Sequence, residues 1–266
     1  MMTIKNYVRV QSLEEAYTLN QKRSSRVIGG MLWLKMTKSN VGTAIDLCDL
    51  GLDTIEETAD GFSIGAMVSL RQLETHPGLN AYTQGAAAAS VRDIVGVQFR
   101  NLATVGGSIF GRFGFSDVLT FFLSTDCTVE LYKGGMVPLA EFAKMKKDRD
   151  ILVRLHVKKT PGKFVYRAVR NARTDFPILT CAVSKKEDTY CAVFGARPGK
   201  AVVISDEEGL LKGGLTEENI CAFAAYAAKT VPTGKNLRGS AAYRTRLVQV
   251  ECERTLRTLG GMEHGN

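Results

Sequence analysis

The chain has 266 residues, 45% of them apolar and 23% charged, with a net charge of +8. That is the balance of a globular protein with enough apolar material for one large core or two modest ones. No apolar run is long enough to span a bilayer, and MMTIKNYVRVQSLEE has no apolar signal core, so the expectation is a cytoplasmic protein that does not span a membrane.

In chain order, SLEEAYTLN (residues 12–20) reads as a helix, with Ser12 as its cap and Glu15 completing a capping box. SRVIGGMLWLKM begins as a short strand that ends at Gly29-Gly30, and TAIDLCDL and FSIGAMV read as further strands. SLRQLETHPG repeats the cap logic with Ser69 and Gln72 and is expected to stop at Pro77-Gly78. LNAYTQGAAAASVRDIV reads as one alanine-rich helix. This alternation of helix and strand favours an α/β layer arrangement in the first hundred residues.

Two more glycine pairs follow. Gly106-Gly107 leads through a loop to a helix capped by Ser116, and Lys133-Gly134-Gly135 is a hairpin signal between Cys127–Tyr132 and Met136–Val137. ILVRLHV alternates as a half-buried strand does. From Lys163 the runs KFVYRAV, PILTCAVS, TYCAVFGA and AVVIS predict an antiparallel sheet. The stretches TEENICAFAAYAAKT and SAAYRTRLVQVECERTLRTL predict two helices. Strands followed by helices mark a separate C-terminal domain over 161–266, after a first domain over 1–160. The tail GMEHGN reads as frayed.

The usual chemical signatures are missing. There is no G-x-G-x-x-G, and GARPGK (195–200) is one residue short of a P-loop and lacks its Ser/Thr, so it reads as a turn. His76, His156 and His264 lie far apart and suggest neither a metal site nor a nucleophile–base pair. The six cysteines form no C-x-x-C pair and read as structural thiols, so no iron–sulfur cluster is expected on this chain. Basic residues are dispersed apart from KMKKDR (144–149) and RGSAAYRTR, without interleaved aromatics. The positive charge therefore points to a phosphate-bearing cofactor or an acidic protein partner, and not to nucleic acid.

What remains is a pair of glycine turns. Each alone reads as a tight turn; together they could bring backbone N–H groups onto the two phosphates of a dinucleotide without a Rossmann fingerprint. The ordered series VIGG, IGAMVSLRQLETHP, QFRNLATVGGSIF, SDVLTFFLSTDCTVEL and the closing NLRGSAAYRTRLVQVECERTL resembles the FAD-binding medium subunit of molybdenum hydroxylases, the family of xanthine dehydrogenase and carbon monoxide dehydrogenase flavoproteins. The resemblance covers nearly the whole chain and is most specific from Gln98 to Asp117.

The resemblance implies an α+β fold: a two-lobed FAD-binding domain of the vanillyl-alcohol-oxidase type, then a C-terminal domain of antiparallel strands and helices. It implies that the amides of Val27, Ile28, Gly29, Gly30, Met31 and Leu32, with those of Ala103, Thr104, Val105, Gly106, Gly107 and Ser108, hold the FAD pyrophosphate. Thr104 would add its hydroxyl, and Asp117, after Ser116, would bond a ribose hydroxyl of the adenosine end. Arg167 takes the place of a family Lys eight residues before Asp175, keeping the charge but not the shape. Met31-Leu32-Trp33 replaces the family's Thr-Asp or Thr-Asn continuation, Ser108 replaces an Asn, and the Pro before the Ser-Asp pair is missing.

The function implied is an electron-transfer oxidoreductase subunit with no catalytic side chain of its own. A large partner subunit would carry the molybdenum cofactor and a small one two-iron clusters, with NAD or another acceptor receiving the electrons. A stand-alone FAD oxidoreductase of the same fold, and a scaffold subunit that has lost FAD, remain as alternatives.

Overall fold

The structure is a computed structural model that describes residues 1–262; His264 and most of the tail expected to fray lie outside the described residues. The chain begins β1 (Thr3–Arg9), α1 (Leu13–Asn20), β2 (Ser25–Ile28), β3 (Asn40–Asp46), β4 (Ile55–Glu57) and β5 (Gly61–Gly65). A run of short helices follows: α2 (Leu70–Thr75), α3 (Pro77–Tyr82), α4 (Ala86–Val91), α5 (Val97–Leu102), α6 (Val105–Phe110) and α7 (Asp117–Phe122). Next come β6 (Asp126–Leu131), β7 (Gly135–Pro138), α8 (Leu139–Phe142) and β8 (Leu152–Lys158). The chain then makes β9 (Gly162–Arg170), β10 (Pro177–Lys186), β11 (Thr189–Gly195) and β12 (Val202–Ser205), and closes with α9 (Glu217–Thr230) and α10 (Ala241–Leu259).

These elements make two compact units, and the chain passes between them more than once. The first takes Met1–Leu73, Gly96–Gly111 and Cys127–Lys158; the second takes Glu74–Val95, Arg112–Asp126 and the chain from Lys159 onward.

The first unit holds a three-stranded parallel sheet in the order β1-β3-β2 and a five-stranded sheet in the order β4-β5-β8-β6-β7. One core gathers Val10, Ala16, Ile45, Leu47, Leu52, Ile151 and Val153; a smaller one of Ile28, Val41 and Ala44 is covered by Met2, Met31 and Leu34. Caps set the helix starts. Ser12 Oγ accepts from Glu15 N–H at 3.1 Å, while the Glu15 carboxylate accepts from Gln11 N–H, one residue earlier than a reciprocal box would place it. At α2 the box is complete: Ser69 Oγ accepts from Gln72 N–H and Gln72 Oε1 accepts from Ser69 N–H.

The second unit is a four-stranded antiparallel sheet, order β12-β11-β10-β9. Leu179, Cys181 and Val183 of β10 join Ile220, Phe223 and Ala224 of α9 and Val248, Cys252 and Leu256 of α10 in one core. The alternate residues of β10 are small and meet α7 and its end: Thr180 Oγ1 lies 3.0 Å from Thr120 Oγ1, and Ser184 Oγ donates to Ser124 O at 2.7 Å. Small polar side chains on that face let the helix approach while keeping every hydroxyl bonded.

Two sequence expectations change here. The alanine-rich run is two helices, α3 and α4, because Gln84 (φ 49°) and Gly85 (φ 82°) turn the chain left-handed between them. Pro77 begins α3 instead of ending α2: its fixed φ suits a first helical position, and His76 Nδ1 caps the new helix by accepting from Leu79 N–H. Four of the cysteines are buried thiols, whereas Cys48 and Cys221 are exposed. Among the described residues no helix is long and apolar enough to cross a membrane, and no group of side chains has the make-up of a metal site.

Candidate functional site

The first glycine turn follows β2 directly. A Cβ on Gly30 would stand 1.9 Å from the Leu102 carbonyl oxygen, and one on Gly29 would stand 2.6 Å from Thr104 Oγ1. The two segments therefore touch backbone to backbone, and any side chain at Gly30 must push one of them away. Met31 then takes φ 57°, a left-handed conformation that costs an ordinary residue ~1–2 kcal/mol. Its side chain offsets that cost by packing, with Leu34, on Ile28, Val41 and Ala44. A short 3₁₀ turn, Leu34–Met36, completes the loop, with Lys35 N–H donating to Met31 O at 3.0 Å.

The amides of Gly29, Gly30, Met31 and Leu32 donate to no group among the described residues. Successive open N–H groups in a turn form a concave, positively polarised surface suited to an anion. The loop is walled by α5, whose Phe99 ring meets Trp33 edge-on with centroids 6.4 Å apart.

The second glycine pair lies inside the first turn of α6, not in an open loop. Thr104 is its cap: Oγ1 accepts from Gly107 N–H at 3.1 Å, and the Thr104 carbonyl accepts from Ser108 N–H and Ser108 Oγ. Val105 N–H donates to Val68 O and Gly106 N–H to Ala66 O, both at 2.8 Å, while Ala103 N–H donates to Phe99 O. A Cβ on Gly106 would come within 2.6 Å of the Ala66 carbonyl. This glycine thus seats α6 against residues 66–68, and the amides from Val105 to Ser108 are engaged within the protein. Residues Val27–Leu32 and Ala103–Ser108 are brought together; the open donors are the amides of Gly29–Leu32 in the first set and Thr104 N–H alone in the second.

Ser116, Asp117 and Arg167 belong to the second unit. Ser116 Oγ caps α7 by accepting from Leu119 N–H. Asp117, the first residue of α7, is 5% exposed, and its Oδ1 accepts from Tyr166 OH at 2.6 Å and from Arg170 Nη2 at 2.5 Å. Burial pushes the carboxyl up to about 6, against the pull of Arg170 and Tyr166; burial and Asp117 together push the Tyr166 phenol well up. Arg167 extends from the other face of β9, toward α10, where Nε donates to buried Glu251 at 2.8 Å and Arg254 shares the same carboxylate. Asp117 and Arg167 are therefore on opposite faces of the sheet. Asp175 accepts from Arg238, which holds its carboxyl below the usual range.

Sequence reasoning missed two members of this cluster, Tyr166 and Arg170. Their spacing of four was the available sign, since it puts both on one face once the strand predicted over KFVYRAV runs one residue further, as β9 does. It also gave no task to Arg244, which is fully buried in α10. Its guanidinium donates to the carbonyls of Ile178, Gly234 and Gly239 and to Asn236 Oδ1, fixing the loop ahead of the helix.

Comparison with known proteins gives this geometry a setting. The family described as the FAD binding domain in molybdopterin dehydrogenase matches residues 2–158, and the CO dehydrogenase flavoprotein C-terminal domain matches residues 164–259. The chain is 26% identical over 272 residues to the nicotine 6-hydroxylase medium subunit of Paenarthrobacter nicotinovorans, covering 94% of this chain and 95% of that protein. It is 24% identical over 251 residues to the uncharacterized protein YgfM of Escherichia coli, covering 91% of each. The fold matches a chain of the carbon monoxide dehydrogenase from Hydrogenophaga pseudoflava with a TM-score of 0.89 at 22% identity, over 99% of this chain and 100% of that one. The first match alone spans more than half of the sequence, and the protein belongs to the family of FAD-binding medium subunits of molybdenum hydroxylases, the flavoprotein subunits of oxidoreductases.

Proposed function

We propose that this chain is the electron-transfer flavoprotein subunit of a xanthine dehydrogenase-like molybdenum hydroxylase. In this reading a large partner subunit carries the molybdenum cofactor and a small one carries two-iron clusters, and the chain stands between those clusters and NAD or another acceptor. The single observation that carries the proposal is the row of open amides from Gly29 to Leu32, held against the Thr104 segment within the FAD-family match. Two phosphates need several converging donors, and this turn supplies them without side chains. The residues present therefore fit FAD.

In the proposed site the amides of Gly29–Leu32 bind the pyrophosphate. Thr104 supplies the wall and the hydroxyl beneath Gly29, and the Met31 and Leu34 side chains hold the loop in shape. Arg167 is held by Glu251, and no contact with the cofactor is proposed for it. When bound, FAD supplies the exchange between single electrons and an electron pair; the chain supplies binding, orientation and exclusion of competing reactions.

The test is reconstitution and co-purification. Purified chain with excess FAD should bind one flavin per chain, and the protein isolated from its source should bring a molybdenum subunit and an iron–sulfur subunit with it. Absence of bound flavin under saturating FAD would overturn the flavoprotein reading. Flavin-loaded protein that comes from its source with neither partner subunit would favour a self-contained oxidoreductase.

A further inference from the structure

The loop ahead of α10 holds its tip rigidly. Gly234 to Gly239 lie between α9 and α10, and Asn236 and Gly239 close a two-residue tip by exchanging N–H to carbonyl bonds of 3.1 and 3.2 Å. Asn236 Oδ1 accepts from Arg238 N–H at 2.9 Å and from Arg244 Nη2 at 2.6 Å, while Arg244 Nη1 donates to the carbonyls of Gly234 and Gly239. Arg238 is tied in turn, with Nη2 on Asp175 at 3.1 Å and its guanidinium 4.8 Å over the Phe176 ring. Between these anchors stands Leu237, whose side chain is fully exposed. The start of α10 does not call for a leucine there, since Ser240 Oγ caps the helix by accepting from Tyr243 N–H.

Ordering a loop costs conformational entropy, and burying the Arg244 guanidinium costs its hydration. A polar residue suits a turn that faces water, and a leucine at the tip buries nothing within the chain. Held rigid, however, it has already given up the freedom that docking would otherwise remove, which is the condition of a preorganised anchor. Nor does it stand alone. Tyr243 is also exposed and lies against the base of the tip, its Cδ1 3.2 Å from where a Cβ on Gly239 would stand. The surroundings are cationic: Lys235 and Arg238 share the loop with Leu237, and Gly234 N–H donates to Arg197 O at 2.9 Å, which brings the GARPGK turn alongside. Among the described residues the carboxylate that ion-pairs with these three cations is Asp175, on Arg238. We propose that Leu237 and Tyr243 anchor a protein–protein interface whose partner offers an apolar socket for the leucine within a rim of carboxylates. The inference rests on the multi-subunit reading and deepens it, because the partner is a subunit of the same complex and this loop is the surface it grips.

The test is made on the assembled complex. The native chain, Leu237→Ala, Leu237→Asp and Lys235→Glu are each tagged and purified from the source, and the apparent dissociation constant of each partner subunit is read by native mass spectrometry over a dilution series. Leu237→Asp should weaken the hold on one subunit by about tenfold or more, and Leu237→Ala by about fivefold. Lys235→Glu should weaken the same subunit by about threefold, an effect that fades in high salt because a rim charge is screened. The melting temperature of the chain should stay native in all three, since Leu237 contributes no buried surface. Native retention of both subunits by Leu237→Asp overturns the proposal, and so does a loss confined to Lys235→Glu. A loss in Leu237→Asp that comes with a lowered melting temperature also overturns it, because the leucine would then be holding the fold. Absence of both subunits from the native preparation would instead reject the multi-subunit reading itself.

Discussion

Gly29-Gly30 and Gly106-Gly107 are the same dipeptide in two settings within one unit, and they do different work. At the first, the backbone leaves a strand, passes under the Leu102 carbonyl and presents four amides that nothing in the described chain accepts. At the second, the glycines open a helix whose amides are already bonded to Ala66, Val68 and the Thr104 cap. The first pair makes a receptor and the second makes the wall behind it. A glycine-rich turn is thus informative about ligands only when the destination of its N–H groups is known.

The largest expected effect separates the two directly. Gly30→Val puts a Cβ against a carbonyl that cannot yield without moving the loop, so it should cost about 2–3 kcal/mol of stability and lower FAD affinity at least a hundredfold by fluorescence titration. Gly107→Ala meets only the Thr104 hydroxyl, at 3.0 Å, and should stay within about threefold of native affinity. Equal losses at both positions would erase the distinction between receptor and wall.

A smaller effect is expected at Thr104, which serves both loops. Thr104→Ala removes the cap on Gly107 N–H and the hydroxyl beneath Gly29, and should destabilise the protein by about 1 kcal/mol. Affinity for FAD should fall less than tenfold, and Thr104→Ser should restore both readouts. A loss as large as that of Gly30→Val would mean that the hydroxyl, not the amides, is the principal phosphate contact.

The sequence made some of this legible and hid the rest for physical reasons. Caps are local, so Ser12, Ser69 and Ser116 could be read from one or two turns of chain, and all three accept from the expected amide three residues on. The antiparallel order of β9 to β12 was also legible, because short turns join neighbouring strands. The helix at Val105–Phe110 was not: two glycines disfavour it locally, and it forms because Thr104 caps it and its first amides find carbonyls some forty residues away. The break at Gln84 was hidden by the alanines around it. Asp117 could be singled out by resemblance, but its partners Tyr166 and Arg170 lie 49 and 53 residues on, and only the packing of β9 brings them to one oxygen.

The most direct test of the central claim is hydrogen–deuterium exchange of the chain with and without FAD, read at single-amide resolution. The account predicts that FAD slows exchange at Gly29, Gly30, Met31 and Leu32, which lack protein acceptors, and changes Val105, Gly106 and Gly107 little, since they are bonded already. Protection gained at Val105–Gly107 with none at Gly29–Leu32 would contradict it.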